Sequence, residues 1–148
     1  LAAVGDNPVP PMPAVAEAAM LAQHGGPWRN GVLAMDAATG ATLWYSEDRS
    51  WPSVVGAGET DEHNATDGIA CWPDAQGIPV IAGDGTVYTS SSHHGDLRAI
   101  RDADGDGVIS PSEVSIFETK NCFLNSPSLA PGMLVAAPCW GPMYVFKE

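Results

Sequence analysis

From residue 30 onward, apolar positions come in short runs broken by glycine, proline, aspartate and serine, without a helical period. Runs of this length bounded by turn formers predict strands. "NGVLAMDAATGATLW" reads as a β-hairpin: an apolar run, a turn holding Asp36, Thr39 and Gly40, and a second run closed by Trp44. The same grammar returns in "IPVIAGDGTVYTSSSHHGDLRAI". There Asp84-Gly85 supplies a tight turn between "PVIAG" and "TVYTSS", and His93-His94-Gly95 turns into "DLRAI". Three successive strands predict a meander, and an all-β fold is expected. The start of the chain is different. "AVAEAAMLAQH", residues 14–24, is rich in helix formers and stops before Gly25-Gly26, which predicts one short helix. Residues 1–13 carry prolines at 8, 10, 11 and 13, so an extended arm is expected, either disordered or laid along a partner.

The strand pattern repeats. Pro79 and Pro127 lie 48 positions apart, Gly85 and Gly132 47, and Gly95 and Gly141 46. The last of these units is "SPSLAPGMLVAAPCWGPMYVF". A period in this range is that of four-stranded propeller blades. The hairpin at residues 30–44 joins the frame if Ala34 corresponds to Ala99, a separation of 65 that leaves extra residues within "SWPSVVGAGETDEHNATDGIACW".

"GVLAMDAATGATLW" resembles the signature of PQQ-like, quinoprotein-type β-propeller repeats: a strand ending in Ala-Leu-Asp, here Ala34-Met35-Asp36, a Thr-Gly turn, and a strand closing on Trp. "DGTVYTSSSHHGDLRAI" and "SPSLAPGMLVAAPCWGPMYVF" are similar to the preceding strands of such blades. The resemblance covers residues 30–148 and implies antiparallel meander blades, about two and a half of them, where a closed propeller takes four to eight. Trp44 matches the docking tryptophan; the second unit has Phe117 nearby. An incomplete set of blades implies a fragment of a longer protein, docking of open strand edges on partners, or an open sandwich. The family likeness does not by itself imply the quinone. The adjacent cysteine pair common in PQQ alcohol dehydrogenases is absent, and fold likeness is a weak warrant for chemistry.

One stretch carries chemistry of its own. "RDADGDGVISPSEV" matches the calcium-loop template D-x-[DN]-x-[DN]-G-x5-E over residues 102–113. Calcium takes six to eight oxygens at about 2.3–2.6 Å, so carboxylates at alternate positions can converge on one ion. Asp102, Asp104 and Asp106 are the expected ligands, Gly107 permits the bend, Val108 offers its carbonyl, Ser110 ligates directly or through water, and Glu113 closes the shell. An EF-hand would flank this loop with helices, but "SSSHHGDLRAIR" has Gly95 and no helical apolar face. In the repeat frame the loop falls where the first unit has "DAATG". It is therefore expected to be an enlarged hairpin turn, with one helical turn over 111–113 and "EVSIFET" following as a strand, its metal structural instead of sensory.

Composition narrows the partners. Eighteen acidic against six basic residues give a net charge of −12, which disfavours nucleic acid and favours cations or basic protein patches. No apolar run approaches the roughly 18 residues of a membrane span. Cys71, Cys122 and Cys139 form no CxxC pair, arguing against a cysteine zinc site and leaving one disulfide plus a thiol open. His93 and His94 with Asp96 are a candidate transition-metal group, weakened because neighbours on a strand face opposite ways. His63 among Glu59, Asp61, Glu62 and Asp67 reads first as a solvated loop, and Asn64 opens a glycosylation sequon. Trp28, Trp44, Trp51, Trp72 and Trp140 read as packing anchors. The start at Leu1, without a signal-peptide pattern, suggests a processed or excised product, with an exported or organelle-lumenal compartment favoured. No G-x-S-x-G, H-E-x-x-H or Walker loop is present. The expectation is a non-catalytic, calcium-binding scaffold or accessory subunit that docks on a larger protein assembly through its blade edges. The rival readings are a fragment of a quinoprotein-like oxidoreductase and a calcium-responsive regulator.

Overall fold

The computed structural model describes residues 1–5, 30–50, 56–58, 77–91 and 94–147. The helix expected at 14–24, most of the proline-rich arm, His63, Asn64, Cys71, His93 and the tryptophans at 28, 51 and 72 lie outside the described residues. The described part is all-β and antiparallel, in three open sheets. The first is β1 (Ala2–Gly5), β2 (Asn30–Met35) and β3 (Thr42–Glu47), in that order. The second is the meander β4 (Val80–Ile81), β5 (Val87–Ser90), β6 (Asp96–Ile100) and β7 (Val114–Glu118). The third is β8 (Ser128–Ala130), β9 (Met133–Ala136) and β10 (Tyr144–Lys147). The chain's first strand is extended on this chain's own β2, with Ala2 opposite Leu33 and Gly5 opposite Asn30. It there covers an edge that would otherwise present unpaired N–H and C=O groups. No helix among the described residues is long and apolar enough to cross a membrane.

Local chemistry explains the turns. The Asp84-Gly85 hairpin closes through Ala82 N–H to Thr86 O at 2.8 Å, with Gly85 at φ 88°. Gly132, its counterpart in the repeat frame, also has positive φ, at 66°. Gly95 and Gly141, the next counterparts, lie at 70° and 94°. Both units thus demand left-handed backbone at matching places. At Gly95 a side chain is further excluded, because a Cβ would stand 2.5 Å from the Asn121 carbonyl oxygen.

The meander sheet is the middle layer, and alternation along β6 decides what each face meets. Ile100 packs with Val87 of its own sheet and with Val32, Ala34 and Trp44 of the first. Leu97 points the other way, to Phe123 and to Ala136, Leu134 and Phe146 at the third sheet. Phe117, the aromatic nearest the Trp44 position of the repeat, sits on this second face, edge-on to Tyr144 at 5.0 Å and to Phe146 at 5.1 Å. Val32 and Ile100 are fully buried, each contributing about 1.5–3 kcal/mol by leaving water.

The layer between the first and second sheets changes character along its length. One end is apolar, built from Val32, Ala34, Trp44, Val87 and Ile100. Two to four residues further along the same strands stand buried Asn30, Ser46, Thr89, Arg98 and Asp96, with Asp48 just beyond β3. Each end has an acidic cluster.

Candidate functional site

The loop between β6 and β7 lies at the apolar end. Its base closes where Arg101 N–H donates to Glu113 O at 3.0 Å, continuing the β6–β7 ladder in which Ile100 faces Val114. Within the loop, the Asp102 carboxylate accepts from Gly105 N–H at 2.8 Å and Gly107 N–H at 3.1 Å. Asp104 accepts from Asp106 N–H at 3.2 Å, and Asp106 from Val108 N–H at 2.7 Å. These short-range bonds curl the backbone around its own carboxylates, and Gly105 (φ 74°) and Gly107 (φ 81°) take the left-handed positions this requires. The result gathers Asp102, Asp104 and Asp106, each with an oxygen within 4.8 Å of the others.

Glu113 stands apart from that trio. One carboxylate oxygen accepts from Ala103 N–H at 2.6 Å, the other from Ser110 N–H and Ser110 Oγ, both at 2.9 Å. The N–H groups of Ser110 and Ala103 hold the Glu113 carboxyl below its ordinary range. This is the capping box of the single 3-10 turn Pro111–Glu113, where a helical turn is expected from sequence. Glu113 is thus ionised and next to the trio's loop, but joining a metal shell means releasing these donors. Ser110 Oγ also lies 2.9 Å from Ser112 Oγ, and the Val108 side chain is exposed, leaving the Val108 carbonyl as the group a metal would use. The loop is anchored by its remaining apolar residue. Ile109 packs on the Val32–Trp44–Ile100 cluster, and Gly107 lies so near β3 that a Cβ there would stand 3.0 Å from Leu43 O.

The polar end holds a second group that reading by local motif misses. Asp48, His94 and Asp96 place ligand-type atoms within 4.8 Å of one another, and their side chains are 2%, 7% and 1% exposed. Arg98 Nη1 lies 3.3 Å from Asp48 Oδ1, and His94 Nδ1 lies 3.6 Å from Asp48 Oδ2. Arg49 Nη2 contacts Asp96 Oδ2 at 2.9 Å and Glu118 at 3.4 Å. Burial pushes the Asp48 carboxyl up, but His94 and Arg98 outweigh it and hold the group below its usual value. For Asp96 burial wins over Arg49, aided by the charge of Asp48, and the carboxyl is raised. Sequence pairs His94 with Asp96 but gives Asp48 no role. Strand alternation contains the missing signal: Trp44, Ser46 and Asp48 share one face, as do Ile100, Arg98 and Asp96.

Cys122 and Cys139 carry thiols and are joined through Cys139 N–H to Cys122 O at 2.8 Å. No family model, curated protein or solved structure matches the chain.

Proposed function

We propose that the chain is a calcium-binding, non-catalytic β scaffold of PQQ-like propeller repeats that serves as an accessory subunit of a larger protein assembly. The observation that carries this reading is a single twelve-residue loop, 102–113, which has every side chain of the calcium template, three of its carboxylates already gathered, and a hydrophobic anchor on the core. Carboxylates so close repel unless a cation intervenes, and an all-oxygen set of flexible geometry suits Ca²⁺ over softer ions. Because Ile109 and Gly107 press the loop against the first sheet while its ends belong to the second, an ion there braces one layer on the other. This supports a structural role. Docking is supported by a groove of about 860 Å³ between the second and third sheets, lined by Ile81, Tyr88, Phe117, Leu129, Met133 and Phe146. Apolar surface of this kind marks protein-interaction sites.

Calorimetric titration with Ca²⁺ tests the reading. One ion is expected to bind per chain, and Asp104→Ala or Glu113→Ala to abolish that binding. Absence of heat at about millimolar Ca²⁺, the weak end of the range for such loops, overturns it. A native preparation in which this chain travels alone overturns the accessory-subunit part.

A further inference from the structure

We propose that Asp48, His94 and Asp96 form a second cation site, distinct from the loop and suited to a borderline transition ion such as Zn²⁺. Two segments far apart in sequence deliver the ligands: Asp48 directly follows β3, and His94 with Asp96 stand where the chain enters β6. Convergence of ligating atoms within 4.8 Å from segments far apart in sequence is a product of the fold, and all three side chains are more than nine-tenths buried.

The observation that points to a ligand is Asp96. The residue is fully buried, its Oδ2 is held by Arg49, and its Oδ1 has no hydrogen-bond partner among the described residues. A buried carboxylate oxygen left without a donor costs the desolvation of a charged group, so such an atom in a folded protein calls for an ion or water. Asp48 divides its oxygens in a compatible way: Oδ1 faces Arg98, while Oδ2 faces His94 Nδ1 at 3.6 Å. Two ligands on a tetrahedral ion with bonds of about 2.0–2.1 Å stand about 3.4 Å apart, so this pair needs only a small adjustment to share one.

Charge decides how the ion would enter. Arg98 is buried, with its side chain 5% exposed, and is fixed against Asp48. Arg49 is 56% exposed and already touches a second acid, Glu118, at 3.4 Å. It is the displaceable cation: a divalent ion takes over Asp96, and Arg49 turns to Glu118 without losing all pairing. The mixed imidazole and carboxylate set selects against Ca²⁺, which takes oxygen ligands, and for an ion that accepts nitrogen and oxygen together. Three protein ligands leave a fourth position open to water.

The test uses the full chain with the loop saturated by Ca²⁺, titrated with Zn²⁺ by calorimetry and with Co²⁺ by absorption. One Zn²⁺ per chain is expected, with a Co²⁺ ligand-field band and no thiolate charge-transfer band. His94→Gln should weaken Zn²⁺ by about tenfold or more, and Asp102→Ala should leave it unchanged. Arg49→Gln, which keeps a donor for Asp96 at an exposed position, should tighten it by about tenfold, as removal of a competing charge predicts. No Zn²⁺ uptake by the wild-type chain, a thiolate band with Co²⁺, or an Arg49→Gln variant that binds no tighter each overturns the site.

Discussion

The turn that joins β2 to β3 and the loop that joins β6 to β7 each connect two antiparallel neighbours, yet they solve different problems. In the first, one carboxylate is satisfied by its own neighbourhood. Asp36 accepts from Ala38 N–H at 3.1 Å, Thr39 N–H at 2.8 Å and Thr39 Oγ at 2.7 Å, and the turn closes through Gly40 N–H to Asp36 O at 2.9 Å. In the second, Asp102, Asp104 and Asp106 each accept from backbone N–H groups of their own loop, and all three carboxylates still lie with an oxygen within 4.8 Å of the others. One acid in a turn is a cap. Three acids with a fourth at the loop's end make a turn whose stability depends on what stands between them. The comparison teaches that enlarging a hairpin turn need not loosen it, provided the added length brings its own hydrogen bonds and a core anchor.

The largest effect expected from this contrast is that of the ion. At a Ca²⁺ concentration 100 times its Kd, binding to the folded chain alone adds about 2.7 kcal/mol. Thermal unfolding should therefore shift upward with Ca²⁺ in the wild-type chain and not in Asp104→Ala. An Asp36→Ala chain should lose stability yet keep the full Ca²⁺ response, because its turn holds no part of that site. Equal responses in Asp104→Ala and wild type would erase the distinction between the two turns. The anchor comes next. Ile109→Ala removes a half-buried side chain from the Val32–Trp44–Ile100 cluster and should cost about 1–2 kcal/mol with or without Ca²⁺. Val108→Ala, one residue away and 65% exposed, should be silent in urea unfolding.

What was legible in sequence divides along the same line. The two hairpins, the meander, the turn at Asp84-Gly85 and the 3-10 turn before β7 are written in local residues, because turn chemistry and strand alternation act over a few positions. The gathering of Asp102, Asp104 and Asp106 is legible for the same reason, all three falling at alternate positions of one short loop. Asp48 is not. Its partners His94, Asp96 and Arg98 lie about fifty residues away, and only the packing of the first sheet on the second brings them together. Strand alternation puts Ser46 on the face of Trp44, and Arg98 and Asp96 on the face of Ile100, but it names no partner across the layer. Phe117 shows the opposite limit: its repeat position suggested the role of Trp44, while strand parity sends its ring to the other face, against Tyr144 and Phe146.

Backbone conformation sharpens the comparison at a smaller scale. Gly40 and Gly107 both have left-handed φ, 73° and 81°. At Gly40 a Cβ would meet nothing within 4 Å, so Gly40→Ala should cost only the conformational penalty, about 1 kcal/mol. Gly107→Ala carries the same penalty and also brings its methyl to 3.0 Å from Leu43 O. It should be the more damaging of the two, and should weaken Ca²⁺ binding where Gly40→Ala does not. Paired urea and calorimetric titrations decide this, and equal losses would mean the loop is not pressed on β3.

The smallest expected effect is the most specific to the short turn. The Thr39 hydroxyl and N–H, with Ala38 N–H, hold the Asp36 carboxyl below its ordinary value. A carboxyl lowered on folding contributes stability above its unfolded pKa, about 3.9, and loses it as pH falls through the folded value. Asp36→Asn keeps an acceptor in place and removes the charge. The wild-type chain should therefore be the more stable at neutral pH, with the gap constant down to about pH 5 and closing below about pH 4. Urea midpoints measured across that range in chelator read the gap directly, and Ca²⁺ should leave it unmoved. A gap that persists unchanged at pH 2 would mean that the turn is closed by the shape of its acceptor and owes nothing to its charge. The two hairpins would then differ in kind, one indifferent to electrostatics and the other governed by it.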